Sequence, residues 1–275
     1  MHPTIVDSVW LRRYAALVVC CTFALVVAGG FVTSHDAALA IPDWPLNWGR
    51  LIPPLEANIR YEFAHRVLAM ITALLTAGLA VKLRTRLAWT ALAAVLVQAG
   101  LGGVLVRYID PAWAAVVHAA LAQLFFGLTV ALAWRTSRLL SMPASVAALA
   151  LFAQTVLGAA VRHHIASPIP HIFGAAVATI LVMWAGLSTL MTHMDDPALR
   201  RPALGLLSLT FSQVFLGIAA YMARAATADA PQPMPLMVWI TVAHVAAGSL
   251  AFGAAVVLAG QAAPHTPLTQ RTAEA

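Results

Sequence analysis

The chain has 275 residues, of which 61% are hydrophobic and only 9% charged, with a formal net charge of +6. A soluble domain carries about 25% charged residues, so this composition excludes an ordinary soluble globule and points to an integral membrane protein. The basic residues are scattered at segment ends rather than clustered, which argues against nucleic-acid binding.

In chain order, eight windows are long and apolar enough to span a bilayer, which takes roughly 20 residues. They cover 14–34, 62–82, 87–107, 112–134, 143–163, 169–190, 202–224 and 236–260. The first follows Arg12 and Arg13 and precedes "AALA", in the manner of a signal peptide. Its apolar run of about 18 residues is longer than a signal core, so it is read as a span. Cys20 and Cys21 lie side by side within it. They are expected to be packing residues, and the chain has no disulfide framework.

One set of connections and termini carries Arg12, Arg13, Lys82, Arg84, Arg86, Arg135, Arg138, Arg200, Arg201 and Arg271. The opposite side holds Arg50, Arg60, Arg66, Arg107, Arg162 and Arg224, mostly at span ends. The positive-inside rule then places both termini in the cytoplasm. The longest outer connection, about 35–60, contains "IPDWPLNWGRLIPP". Prolines stiffen such a segment and tryptophans suit the interface, so it reads as an ordered lid, with a plain connecting loop as the alternative.

The sequence repeats. "QAGLGGVLVR" begins at Gln98, "QTVLGAAVR" at Gln154 and "QVFLGIAAYMAR" at Gln213, each with a glycine four residues after the glutamine and an arginine near the outer end. Each copy is followed by a span bearing a histidine: His118, His171 and His244. Gly29, Gly30 and His65 form a weaker first copy. The spacing is 53 residues from His65 to His118, 53 again to His171, and 73 to His244. The predicted architecture is therefore all-α and polytopic: eight transmembrane helices in two pseudo-symmetric four-helix bundles, 1–138 and 139–275.

All four histidines fall near the outer ends of even-numbered spans, in one layer about 10 Å deep. Each has a small residue four positions on, namely Ala69, Ala122, Ala175 and Gly248, which leaves room beside the imidazole for something flat and large. A lone histidine in a span is often a packing residue, but four in register mark a site. Imidazoles facing each other in a helical bundle are axial ligands for haem iron, and each half supplies a pair, His65 with His118 and His171 with His244. Arg66, Arg107, Arg162 and Arg224 would face haem propionates, or simply snorkel to the interface. No carboxylate or cysteine recurs beside the histidines, which disfavours zinc or copper. His163, His164, His35, His2, His193 and His265 are expected to be solvated or interfacial.

The halves are chemically unequal. Three residues before the four histidines stand Glu62, Ala115, Pro168 and Thr241, and only the first is acidic. Glu62, His65 and Arg66 share one helix face. Glu62 either steers a proton, binds water or stabilises positive charge at the pocket, or forms an anchoring ion pair with Arg66.

"EFAHR" at 62–66, "IPDWPLNWG" at 41–49, "LGAAVRH" at 157–163 and histidines on even spans together resemble the haem A synthase family over nearly the whole chain. The resemblance implies an oxidoreductase that converts the C8 methyl of haem O to the formyl of haem A, for cytochrome oxidase, through a hydroxymethyl stage. It implies a haem B cofactor in the C-terminal half on His171 and His244. It also implies a substrate haem O site in the N-terminal half between His65 and His118, with Glu62 required for activity. The cysteine pair that many bacterial members carry in the first outer loop is missing here, so no thiol step applies. The expected partners are haem O and the plasma membrane lipid bilayer. An electron donor such as quinol and the haem O-producing enzyme remain open. Other functions that would use the same histidines are a bis-histidine electron-transfer cytochrome, a haem carrier or assembly factor without chemistry, and a proton-relaying transporter.

Overall fold

The computed structural model describes residues 9–134, 141–227 and 229–261. Arg135, Arg138, Arg271, His2, His265 and the 138/139 boundary lie outside the described residues. Among those described there are eight helices: α1 (Val9–Ser34), α2 (Ile59–Leu83), α3 (Arg86–Arg107), α4 (Ala112–Trp134), α5 (Met142–Arg162), α6 (Pro168–His193), α7 (Pro197–Ala226) and α8 (Pro235–Gln261). All eight are long and apolar enough to cross a membrane, and the chain is a multi-pass membrane protein.

The helix ends follow capping chemistry rather than hydropathy. Thr85 accepts from the Ala88 amide at the start of α3, and Ser141 accepts from Ala144 at the start of α5. Asp196 accepts from the Ala198 amide at 2.8 Å, with Pro197 in the first turn. The cap starts α7 five residues before its apolar window, so that Arg200 and Arg201 ride on its first turns. Inside the spans, threonine hydroxyls donate to the carbonyl four residues back, as Thr22 does to Val18 and Thr76 to Thr72. Such bonds satisfy a polar side chain within its own helix where water is absent.

The helices pack as two rings. In the first, α1 touches α2 and α4, and α3 closes the circle. In the second, α5 touches α6 and α8, and α7 closes it. The rings meet through α1, α4, α5 and α8. The most enclosed helices are α4 and α8, and their contact is reciprocal. Phe252 of α8 seats against Gly127 of α4, while Phe126 of α4 seats against Gly253 of α8. Beside this interlock, the Gln123 amide donates to the Ser249 hydroxyl at 2.7 Å, and both side chains are buried. His118, Gln123, Phe126 and Gly127 correspond to His244, Ser249, Phe252 and Gly253 at one constant offset, so the contact has an internal twofold character. The outer faces carry exposed Phe173, Ile180 and Met191, as a lipid-facing surface requires.

The interlock predicts that Phe252→Ala, which empties the seat on Gly127, costs about 3 kcal/mol or more. The denaturation midpoint in detergent should fall. The same change at the exposed Phe211 should leave it in place, and equal midpoints for the two variants would contradict the interlock.

Candidate functional site

All four repeat histidines sit in the first turns of α2, α4, α6 and α8, at one end of the bundle. Each packs its ring edge on a glycine of the preceding helix. A methyl carbon placed on Gly29 would lie 3.3 Å from His65 Cε1, on Gly158 3.2 Å from His171 Cε1, and on Gly217 3.0 Å from His244 Cε1. At Gly102 the corresponding distance to His118 is 3.7 Å. Three of these are closer than the roughly 3.5–4.0 Å of a relaxed carbon contact. The glycines were visible in the repeat as the fourth residue after each glutamine, but their purpose appears only across the hairpin.

The rings of His171 and His244 face one another with centroids 6.2 Å apart and planes at 84°. Among the described residues no such ring contact joins His65 and His118. All four Nδ1 atoms are buried without a hydrogen-bond partner, as are Oε1 of Gln98, Gln154 and Gln213. The imidazoles of His65, His171 and His244 lie against the backbone of Leu25, Gln154 and Gln213 without closing that bond. A buried polar atom left unpaired costs about 1–3 kcal/mol. Seven in two matching layers mark a site built for something else. The Gln213 amide donates to His244 Nε2 at 3.2 Å, and the Gln98 amide donates to the His118 carbonyl at 2.9 Å. The amide of Gln213 also occupies the space beside Gly248.

Glu62 is the only carboxylate in the eight described helices, and it is buried. It is fully engaged. Oε1 pairs with Arg66 Nη2 at 2.5 Å, and Oε2 accepts from the Ile41 amide at 2.7 Å. Arg66 in turn donates to the carbonyls of Asp43 (2.7 Å), Leu46 (2.9 Å) and Ile41 (3.2 Å), and to Asn47 Oδ1 (3.3 Å). The pair therefore gathers the 41–47 backbone onto the end of α2. Asp43 folds the loop on itself by accepting from the amides of Trp48 (2.6 Å) and Gly49 (2.7 Å). The Gly49 and Trp48 amides hold its carboxyl below the ordinary range. Trp44 lies flat on Gly103, next to the glycine that seats His118, so the loop roofs the N-terminal ring.

The other predicted residues are placed as follows. Arg162 reaches across the rings to the Thr33 carbonyl at 2.6 Å. Arg224 donates to His164 Nδ1 at 3.5 Å from an exposed position. Arg107 is exposed and unpaired among the described residues. With Arg66 committed to the loop and Arg162 to Thr33, the exposed members of the predicted set are Arg107 and Arg224, the latter beside His164. His35, expected in solvent, is half-buried because its ring stacks on Tyr61 at 3.9 Å and its carbonyl accepts from Asn58. His163 is half-buried, while His164 and His193 are exposed. Cys20 and Cys21 are both unbonded.

Arg66→Lys keeps the charge but loses the fork that grips several carbonyls. Each charge-assisted bond contributes about 1.5–3 kcal/mol, so exchange of the Ile41 amide should quicken about tenfold or more. Unchanged exchange would show that the loop is held elsewhere. The Asp43 turn behaves oppositely to a histidine switch. Its depressed carboxyl stabilises the loop at all pH above the ordinary value of 3.8, and that contribution is lost only as pH falls through the lower folded value. Loop exchange should accordingly show no acid step between pH 8 and 5.

No protein-family model matches the chain. A stretch of 70 residues is 43% identical to a protein of Symbiobacterium thermophilum named "Heme A synthase"; it covers 26% of this chain and 20% of that protein. The likeness thus spans about a fifth of the length of that relative.

Proposed function

We propose that the protein is a haem A synthase, which oxidises the C8 methyl of haem O to a formyl group. The reading rests first on the half-buried imidazoles, paired ring to ring at His171 and His244, with their Nδ1 atoms out of solvent. Two imidazoles brought together inside a helical bundle are the residues that would hold a haem iron between them. His171 and His244 are 6.2 Å apart. His244 Nε2 accepts an amide proton, so its own proton belongs on Nδ1, the tautomer that leaves Nε2 as the metal-binding nitrogen. The residues of the C-terminal ring therefore fit a resident haem B, which when bound supplies a one-electron acceptor. The local likeness to a protein named "Heme A synthase" supports the same reading.

The N-terminal ring suits a substrate that comes and goes. His65 and His118 are not clasped ring to ring, and a loop rather than a helix covers them. Taking a methyl to a hydroxymethyl and then to a formyl, with water supplying the oxygen, releases four protons and four electrons. The electrons require an external acceptor such as a quinone, since quinol could serve only as a donor. Glu62, the one carboxylate among the spans, stands one turn from His65 and is the natural acceptor for those protons once its pairing with Arg66 and Ile41 loosens. His65 and His118 hold the haem O iron and so fix the methyl relative to Glu62. Arg107 and Arg224, both exposed, would meet propionates at the outer surface. Both termini would face the cytoplasm of a cell whose plasma membrane holds the protein, with a quinone or another electron acceptor and the haem O-producing enzyme as partners.

The observation that carries the proposal is one scaffold used twice with an acid beside only one histidine pair. Co-expression with a source of haem O, followed by chromatography of extracted haems, should reveal haem A. Its absence, with haem bound and haem O present, would favour an electron-transfer cytochrome. Glu62→Gln should retain the haem of the C-terminal ring and lower haem A formation by about a hundredfold or more. Normal haem A in that variant would leave Glu62 as a loop anchor alone. His171→Ala and His244→Ala should each lose the resident haem, and unchanged absorption in both would refute the ligand assignment.

A further inference from the structure

We propose that Gly29, Gly158 and Gly217 are the positioning residues of the haem ligands: each is a slot in one helix that fixes the ring plane and tautomer of the histidine on the next. The proposal rests on the haem reading and adds to it what holds the imidazoles.

The argument begins with contact. In each slot the nearest ring atom is Cε1 and the next is Nδ1; at Gly158 and Gly217, Nε2 is farther still. The ring therefore enters the slot by its Cε1 corner, with Nδ1 at 3.6 Å and Nε2 at 3.9 Å from the methyl position at Gly217, and 3.6 Å and 3.7 Å at Gly158. In a helix, the carbonyl four residues before a glycine points at that glycine's own amide. Those residues are Leu25, Gln154 and Gln213, and theirs are the backbones against which His65, His171 and His244 lie. Any side chain at the glycine would push the ring off this carbonyl. The slot thus sets Nδ1–H toward a backbone acceptor and keeps the lone pair on Nε2, where His244 now accepts from the Gln213 amide and a metal would take that amide's place, a second-layer arrangement that commonly orients metal-binding histidines. The unpartnered Nδ1 atoms of His65, His171 and His244 show rings held near an acceptor but not locked to it. Bond formation on the opposite nitrogen would draw that edge home.

The slots are graded. Gly217 and Gly158 are tightest, Gly29 follows, and Gly102 is loose enough to take a methyl group at ordinary contact distance. Gly102 is therefore a control within the same repeat, and Gly205, with open space around it, is a second. Alanine favours a helix more than glycine does, so any harm from these substitutions must come through the ring.

The test uses the full-length protein purified in detergent with its haem. Absorption and low-temperature electron paramagnetic resonance report the axial ligands. Gly217→Ala and Gly158→Ala should each convert at least half of the six-coordinate low-spin signal to high-spin, or lose the haem, while helix content is unchanged. Gly102→Ala and Gly205→Ala should leave that signal as it is. If His244→Ala abolishes the low-spin signal but both slot variants keep it, the slots do not position the ligands and the haem reading stands. If the unaltered protein has no low-spin haem, the haem reading itself fails. Should both slot variants be missing from the membrane while the two controls accumulate, the glycines serve folding and the proposal is overturned.

Discussion

A neutral imidazole inside a bilayer must find a place for one N–H and one lone pair where no water helps, and this constraint organises the molecule. The protein meets it three times by the same device: at Gly29, Gly158 and Gly217 the absence of a side chain lets the histidine of the next helix bring its ring down close to the backbone of the preceding turn. Hairpin geometry, the glutamine-to-glycine spacing and the position of each histidine in its first turns all follow from that single packing. Under the proposed haem reading, filling a slot would do more than alter a contact, because it would turn the ring on which the ligand assignment rests.

The second organising interaction is the ion pair of Glu62 and Arg66. Ionic pairs in low-dielectric surroundings are costly unless every remaining lone pair and proton is satisfied. Here they are satisfied by loop backbone. The carboxylate takes the Ile41 amide, and the guanidinium takes the carbonyls of Ile41, Asp43 and Leu46. The pair is thus both the loop's anchor and the only acid in the spans. Any event that frees Glu62 also loosens the roof of the N-terminal ring. Of the two meanings that the sequence left open for "EFAHR", the structure shows the anchoring one, and the proton handling proposed for Glu62 would use the same atoms.

Much of this was legible before any coordinates. Length and hydropathy gave eight spans, because a bilayer imposes a length that few other environments do. Register gave the histidine layer, because a repeat keeps its geometry. What was not legible lies between helices that are distant in sequence. Nothing in local spacing says that Arg162 reaches Thr33, that Trp44 settles on Gly103, or that Phe126 and Phe252 exchange seats. Hydropathy also misplaced the start of α7, because the Asp196 cap and Pro197 carry helical backbone past the edge of the apolar window. Arg66 was read only in part for a related reason: its ion pair with Glu62 was among the expectations, but its grip on the loop carbonyls was not. A basic residue at a span end has the same signature whether it meets a propionate, a lipid phosphate or, as here, a run of backbone carbonyls.

The interlock of α4 and α8 has a wider consequence. Because one ring's contacts are the other's read in reverse, the molecule carries two copies of a single scaffold within one chain. Twinned positions such as His118 and His244, or Gln123 and Ser249, share their architecture. Where the members of such a pair differ, the difference is local, as in the looser seat of His118 on Gly102 beside that of His244 on Gly217.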